Sequence, residues 1–84
     1  MPHRWFTEDT LVKFVKRLRE RWPELEITRL EQRVNKQVLY IRLRGGFVKL
    51  IVYRDGRIRA YGKPDGLTLA IKNIAARVLE SWRA

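Results

Sequence analysis

Apolar residues recur along this chain with two different periods. Leu11, Phe14, Val15, Leu18 and Trp22 fall at helical spacing and make one apolar stripe. Thr7 is a good N-cap for that helix, and Glu8 and Asp9 stand in the first turn, where the helix dipole favours negative charge. Phe6 and Leu11 are placed for a hydrophobic staple, and Pro23 stops the helix near Arg21 or Trp22. From Ile27 to Ala60 the period drops to two, the signature of strands with one buried face. Helical spacing returns in Leu67, Ile71, Ile74, Ala75, Val78 and Trp82, after a Lys63–Pro64–Asp65–Gly66 turn in which Asp65 is the expected cap.

Three turns divide the middle region into four strands. Asn35–Lys36 and Gly45–Gly46 read as two-residue hairpin loops. Asp55–Gly56 does not, because a two-residue loop there would pair Val52 with Arg59 and scramble the faces. A three-residue loop, Arg54–Asp55–Gly56, with Gly56 left-handed, instead pairs Val52 with Ile58 and Leu50 with Ala60, and register must respect the buried face. One face then carries Leu30 and Val34, then Leu39, Ile41 and Leu43, then Val48, Leu50 and Val52, then Ile58 and Ala60. The expected architecture is α+β in two layers: helix, four-stranded antiparallel meander, helix, with both helices on the apolar sheet face. Residues 1–84 read as one domain, with no repeat, linker or low-complexity segment.

The opposite face changes the picture. Its expected rows are Arg29, Arg42, Lys49, Tyr61, then Glu31, Tyr40, Ile51, Arg59, then Arg33, Val38, Tyr53, Arg57, with Ile27, Arg44 and Phe47 in a shorter fourth. Like charges directly opposite on neighbouring strands destabilise a sheet by about 0.2–1 kcal/mol per pair. The row Arg29–Arg42–Lys49 therefore calls for an anion, although arginines also relieve crowding by stacking over tyrosines. Lys and Arg outnumber Asp and Glu by 19 to 9, giving a net charge of +10, which points to a polyanionic partner. A thermophile-style surface would instead mix the two signs in ion-pair networks. Aromatic rings among the cations suit nucleic-acid bases, each stacked ring contributing about 1–3 kcal/mol.

Duplex binders read backbone shape and need few rings, so the expected ligand is a single strand, DNA favoured and RNA allowed. The candidate binding residues are Arg29, Tyr40, Arg42, Arg44, Phe47, Lys49, Tyr53, Arg57, Arg59 and Tyr61, with Trp5 as a base clamp at the sheet edge. Trp22 and Trp82 lie on the helix stripes and read as core, and residues 1–4 read as a basic arm. Catalytic signatures are thin. His3 is the one histidine and sits in a terminal segment, Ser81 is the one serine and has no neighbouring base, and Glu31 pairs most simply with Arg29 or Arg42. Neither a metal constellation nor a cofactor loop is present, Gly45–Gly46 lacking the helix and lysine of a phosphate loop. There is no cysteine, and no apolar run approaches the ~18 residues of a membrane span, so a cytoplasmic protein without a membrane partner is expected.

The helix–four strands–helix order, small size, arginine bias and aromatic basic sheet resemble the archaeal ThermoDBP group, the single-stranded DNA-binding proteins of Thermoproteales and their shorter relatives. The resemblance is one of layout over almost the whole chain and assigns no residue by motif. It implies a thermophilic, non-OB single-strand binder that holds bases in a cleft against the sheet and self-associates. A double-stranded-RNA-binding domain also runs helix, sheet, helix, but with three strands and a lysine cluster opening its second helix. Here a fourth strand is needed for Arg57–Gly62, and the second helix opens Asp65–Gly66–Leu67–Thr68. That family is the alternative. A self-associating protein-interaction module and a small endoribonuclease built on Glu31 are further ones.

Overall fold

The computed structural model describes residues 5–83, and side chains for residues 5–80. In chain order the elements are α1 (Glu8–Arg21), β1 (Glu26–Gln32), β2 (Lys36–Leu43), β3 (Gly46–Tyr53), β4 (Ile58–Lys63) and α2 (Asp65–Arg83). The strands form one antiparallel sheet in the order β1-β2-β3-β4, which is the expected α+β meander. Both helices pack on one face. Phe14 and Leu18 of α1 and Ile71, Ala75, Val78 and Leu79 of α2 close over Leu39 and Ile41 of β2 and Val48, Leu50 and Val52 of β3. Burying one such side chain contributes about 1.5–3 kcal/mol. The Trp82 side chain and the segment 1–4 lie outside the described residues.

α1 begins where its sequence dictates. The Thr10 N–H donates to Thr7 Oγ1 at 3.3 Å, and the Thr7 N–H donates back to Thr10 Oγ1 at 2.7 Å, so two orphan amides are satisfied reciprocally. Phe6, just before the cap, stacks on Phe14 with ring centroids 4.7 Å apart. Trp22 closes the far end, its N–H donating to the Leu18 carbonyl. In α2, Asp65 is the first helical residue rather than the cap. The Pro64 carbonyl accepts from both the N–H and the hydroxyl of Thr68.

Gln37 ties the segment before α1 to the sheet. It occupies the core-facing parity of β2 and is buried. Its side-chain amide accepts from the Phe6 N–H at 2.7 Å, and donates to the Phe6 carbonyl at 2.8 Å and to Gln32 Oε1 at 3.0 Å.

The β3–β4 hairpin has the expected register, Val52 opposite Ile58 and Leu50 opposite Ala60, with Gly56 at φ +100°. The other two hairpins turn one residue earlier than expected. Arg33 and Lys36 close the first around Val34 and Asn35, the Arg33 N–H donating to the Lys36 carbonyl at 2.8 Å. Leu43 and Gly46 close the second around Arg44 and Gly45, with Gly45 at φ +80°. From Arg29 onward in β1 and along all of β3, partners across β2 therefore shift by two residues, which preserves the faces and changes the neighbours. A bulge in β1 between Ile27 and Arg29 adds a further correction. Ile27 pairs with Ile41 and packs against the core, not in the outward row. Leu30 and Val34, expected in the core, are exposed. Val34 stands in the turn, and α2 runs over β3 and β4, leaving Leu30 on the edge strand at the rim. β4 lies so close to β3 that a Cβ on Gly62 would sit 2.0 Å from the Phe47 carbonyl oxygen.

Candidate nucleic-acid interface

With the observed registers, the face away from the helices sorts into rows across the strands. One reads Glu26, Arg42, Phe47, Lys63 and the next Arg29, Tyr40, Lys49, Tyr61. A third reads Glu31, Val38, Ile51, Arg59, and beyond it Lys36 faces Tyr53. The expected file of three cations, Arg29–Arg42–Lys49, does not exist. The two-residue shift sets Tyr40 between Arg29 and Lys49, so charge and ring alternate, and Lys49 Nζ lies 5.8 Å from the Tyr40 ring centroid. Cation–π contact replaces like-charge repulsion.

The face is divided electrostatically. On the β1–β2 side the arginines have acids. Glu31 pairs with Arg29 at 2.7 Å and Arg33 at 3.6 Å and accepts the Tyr40 hydroxyl at 3.3 Å, while Glu26 pairs with Arg42 at 2.8 Å. Glu31 is thus engaged three times over, by Arg29, Arg33 and Tyr40 rather than by Arg42.

The β3–β4 side is different. Among the described residues Lys49, Arg59 and Lys63 have no ion-pair partner. Between them stand the two rings most open to solvent, Phe47 at 56% and Tyr61 at 50% exposure. Phe47 pairs with Lys63 and Tyr61 with Lys49, so the two rings are diagonal neighbours about 7–8 Å apart at their Cα atoms. Tyr61, two residues along the same strand, raises the Arg59 pKa above its ordinary value. Arg57 stacks over Tyr53 at 4.9 Å and pairs with Asp55 at 2.9 Å. Asp55 is held below the usual carboxylate range, first by the Arg57 N–H it accepts at 3.0 Å and then by the guanidinium.

Of the expected site residues, Arg29, Tyr40, Arg42, Phe47, Lys49, Arg59 and Tyr61 come together on this face, with Tyr53 and Arg57 at its end. Arg44 does not join them. It sits in the β2–β3 turn, where it lines a shallow groove with Arg21, Trp22, Pro23, Glu24 and Leu43. Trp5 packs, half-buried, against the core cluster and so belongs to the helix-covered side. Lys63 and Lys36 were missed. The signal for Lys63 was present, since the β3–β4 register that pairs Leu50 with Ala60 also pairs Phe47 with Lys63. Lys36 was hidden by its expected place in the turn.

Among the described residues, no helix is long and apolar enough to cross a membrane. No protein-family model matches this chain, no curated protein matches it, and no solved structure matches its fold.

Proposed function

We propose that this protein binds single-stranded nucleic acid, with little sequence preference and without catalysis, on the outer face of β3 and β4. The observation that carries the proposal is the pair of exposed rings, Phe47 and Tyr61, set among the unpaired cations Lys49, Arg59 and Lys63. Rings at that spacing receive splayed bases, and the cations take the phosphates between them. Tyr40 and Tyr53 are half-buried and occupied by Lys49 and Arg57, so they support the platform rather than form its open surface. Arg42 and Arg57 reach the strand by exchanging exposed carboxylates for phosphates, because exposed ion pairs contribute only about 0–1 kcal/mol. The layout-level resemblance to the archaeal single-strand binders points the same way, and self-association and a cytoplasmic setting belong to the same proposal.

The test compares matched poly-dT, poly-U and duplex oligonucleotides by fluorescence anisotropy. With about five phosphates neutralised, log affinity for dT falls against log salt with a slope near −3.5. Changing Phe47 and Tyr61 together to Ala removes about 2–6 kcal/mol of single-strand affinity. A dT affinity untouched by that double change, or a salt slope near zero, would refute the proposal. Sedimentation of the free protein separates a second outcome, in which a nucleic-acid-free dimer covers both rings.

A further inference from the structure

α1 and α2 enclose a second basic surface, on the side of the sheet away from the ring platform. It is a groove of about 700 Å³ whose walls include Lys13, Lys16, Arg17 and Arg21 from α1 and Arg77 from α2. Val78 is buried at its floor beside half-buried Ile74, and Glu20 is the one acid among its lining residues. Among the described residues, none of these charged side chains has an ion-pair partner, Glu20 included. Arg21 near the C-terminus of α1 is favoured by the helix dipole. Lys13 and Arg17 in mid-helix are not, and the four-residue spacings Lys13–Arg17 and Arg17–Arg21 set like charges together on one helix face. No lining residue carries an aromatic ring, and the neighbouring Trp22 is half-buried with the Arg21 guanidinium over its ring, 4.7 Å from the centroid, so it offers no open face to a base. The contrast with the sheet is therefore chemical: cations without rings, in a trough, with the facing wall supplying Arg77.

We infer that the α1–α2 groove is a site for the phosphodiester backbone of nucleic acid, blind to base sequence and favouring the denser charge of a duplex over a single strand. From Lys13 to Arg21 the helix rises about 12 Å, enough for one wall of the groove to follow consecutive phosphates. A trough without rings gives bases nothing to stack on, so it reads charge and shape alone. Combined with the sheet platform, and resting on that proposal, the groove lets one domain hold two nucleic-acid segments on opposite sides. The groove by itself does not depend on the sheet.

The experiment measures binding of a 20-base-pair duplex and of poly-dT by four proteins: wild type, Arg17→Gln with Arg77→Gln, Phe47→Ala with Tyr61→Ala, and a control of equal charge loss, Arg54→Gln with Lys72→Gln. All substituted residues except Lys72 are exposed, and thermal melts verify folding. The groove variant is expected to lose tenfold or more in duplex affinity and to lower the duplex salt slope by about 2, while the control loses less than threefold. The platform variant should lose dT affinity and keep duplex affinity. A groove variant indistinguishable from the control overturns the groove and leaves the platform standing. A platform variant that keeps dT affinity, beside a groove variant that loses duplex, overturns the platform and leaves the groove. Wild type that binds polyglutamate but no duplex at low salt assigns the groove to an acidic protein and overturns the inference.

Discussion

Leu50 and Ile51 are consecutive residues of β3, both buried, on opposite faces of one sheet. Leu50 lies in the core cluster under two helices. Ile51 is only 7% exposed and its partner Val38 4%, yet neither belongs to that cluster. In register they are framed by Glu31 and Arg59, and along their strands by Tyr40, Lys49 and Tyr53. Among the described residues no helix lies over them, so their cover is made of rings and aliphatic stems whose polar ends face water. Equal burial thus has two causes, rigid elements on one side and long side chains on the other. The second kind of cover can rearrange, as a surface that admits a ligand must.

The sharpest way to break that contrast is at Gly62. A valine there drives its Cβ into the Phe47 carbonyl and separates β4 from β3, which removes both the core edge and the ring pair. Loss of the cooperative unfolding transition by circular dichroism is expected. A Gly62→Val protein melting like wild type would show that β4 is not held at this distance. Next comes Leu50→Ala, which should lower stability by about 2–5 kcal/mol in urea titrations while leaving dT affinity unchanged under folding conditions. Gln37→Leu follows at about 1–3 kcal/mol, because it leaves the Phe6 N–H and carbonyl without their partner. Ile51→Ala should cost less, about 2 kcal/mol at the low end of the same range, since flexible neighbours close over the space. Its effect on dT affinity should exceed that of Leu50→Ala, reversing the order seen in stability. Equal stability losses at Leu50 and Ile51 would mean that the outer cover is as rigid as the helices.

What the sequence made legible follows from parity. Alternation along a strand states which residues share a face, and a one-residue slip would expose the whole set, so the division into core face and basic face could be read directly. A two-residue slip leaves that alternation intact. Nothing in the pattern therefore distinguished Arg42 opposite Lys49 from Tyr40 opposite Lys49, and the charge file expected at Arg29–Arg42–Lys49 dissolved into an alternating row. The third hairpin escaped the ambiguity because its competing loop differed by one residue, which parity does detect. The bulge that turns Ile27 inward leaves no periodic trace, and the partition of the basic face depends on which acid lies across from which arginine. Cap and stop residues around α1 are local, and Thr7, Trp22 and Pro23 acted where they stand.

The smallest effect expected concerns acid. The hydrophobic core cluster contains no titratable group among the described residues, whereas the outer face is trimmed by carboxylates. Asp55 is the clearest case, its carboxyl held below the usual range by the Arg57 N–H and then by the guanidinium. A depressed pKa contributes stability that is present above the unfolded value, about 3.9, and is lost as pH falls through the lower folded value. Wild type and Asp55→Asn should therefore differ slightly in melting temperature at pH 7 and converge as the pH is taken below 3. The same substitution frees Arg57 from its exposed carboxylate and should raise dT affinity at neutral pH by a small factor. A difference in melting temperature that grows on acidification would mean that the Asp55–Arg57 turn does not depend on the ionised carboxylate, and that the outer face is held by its apolar stems alone.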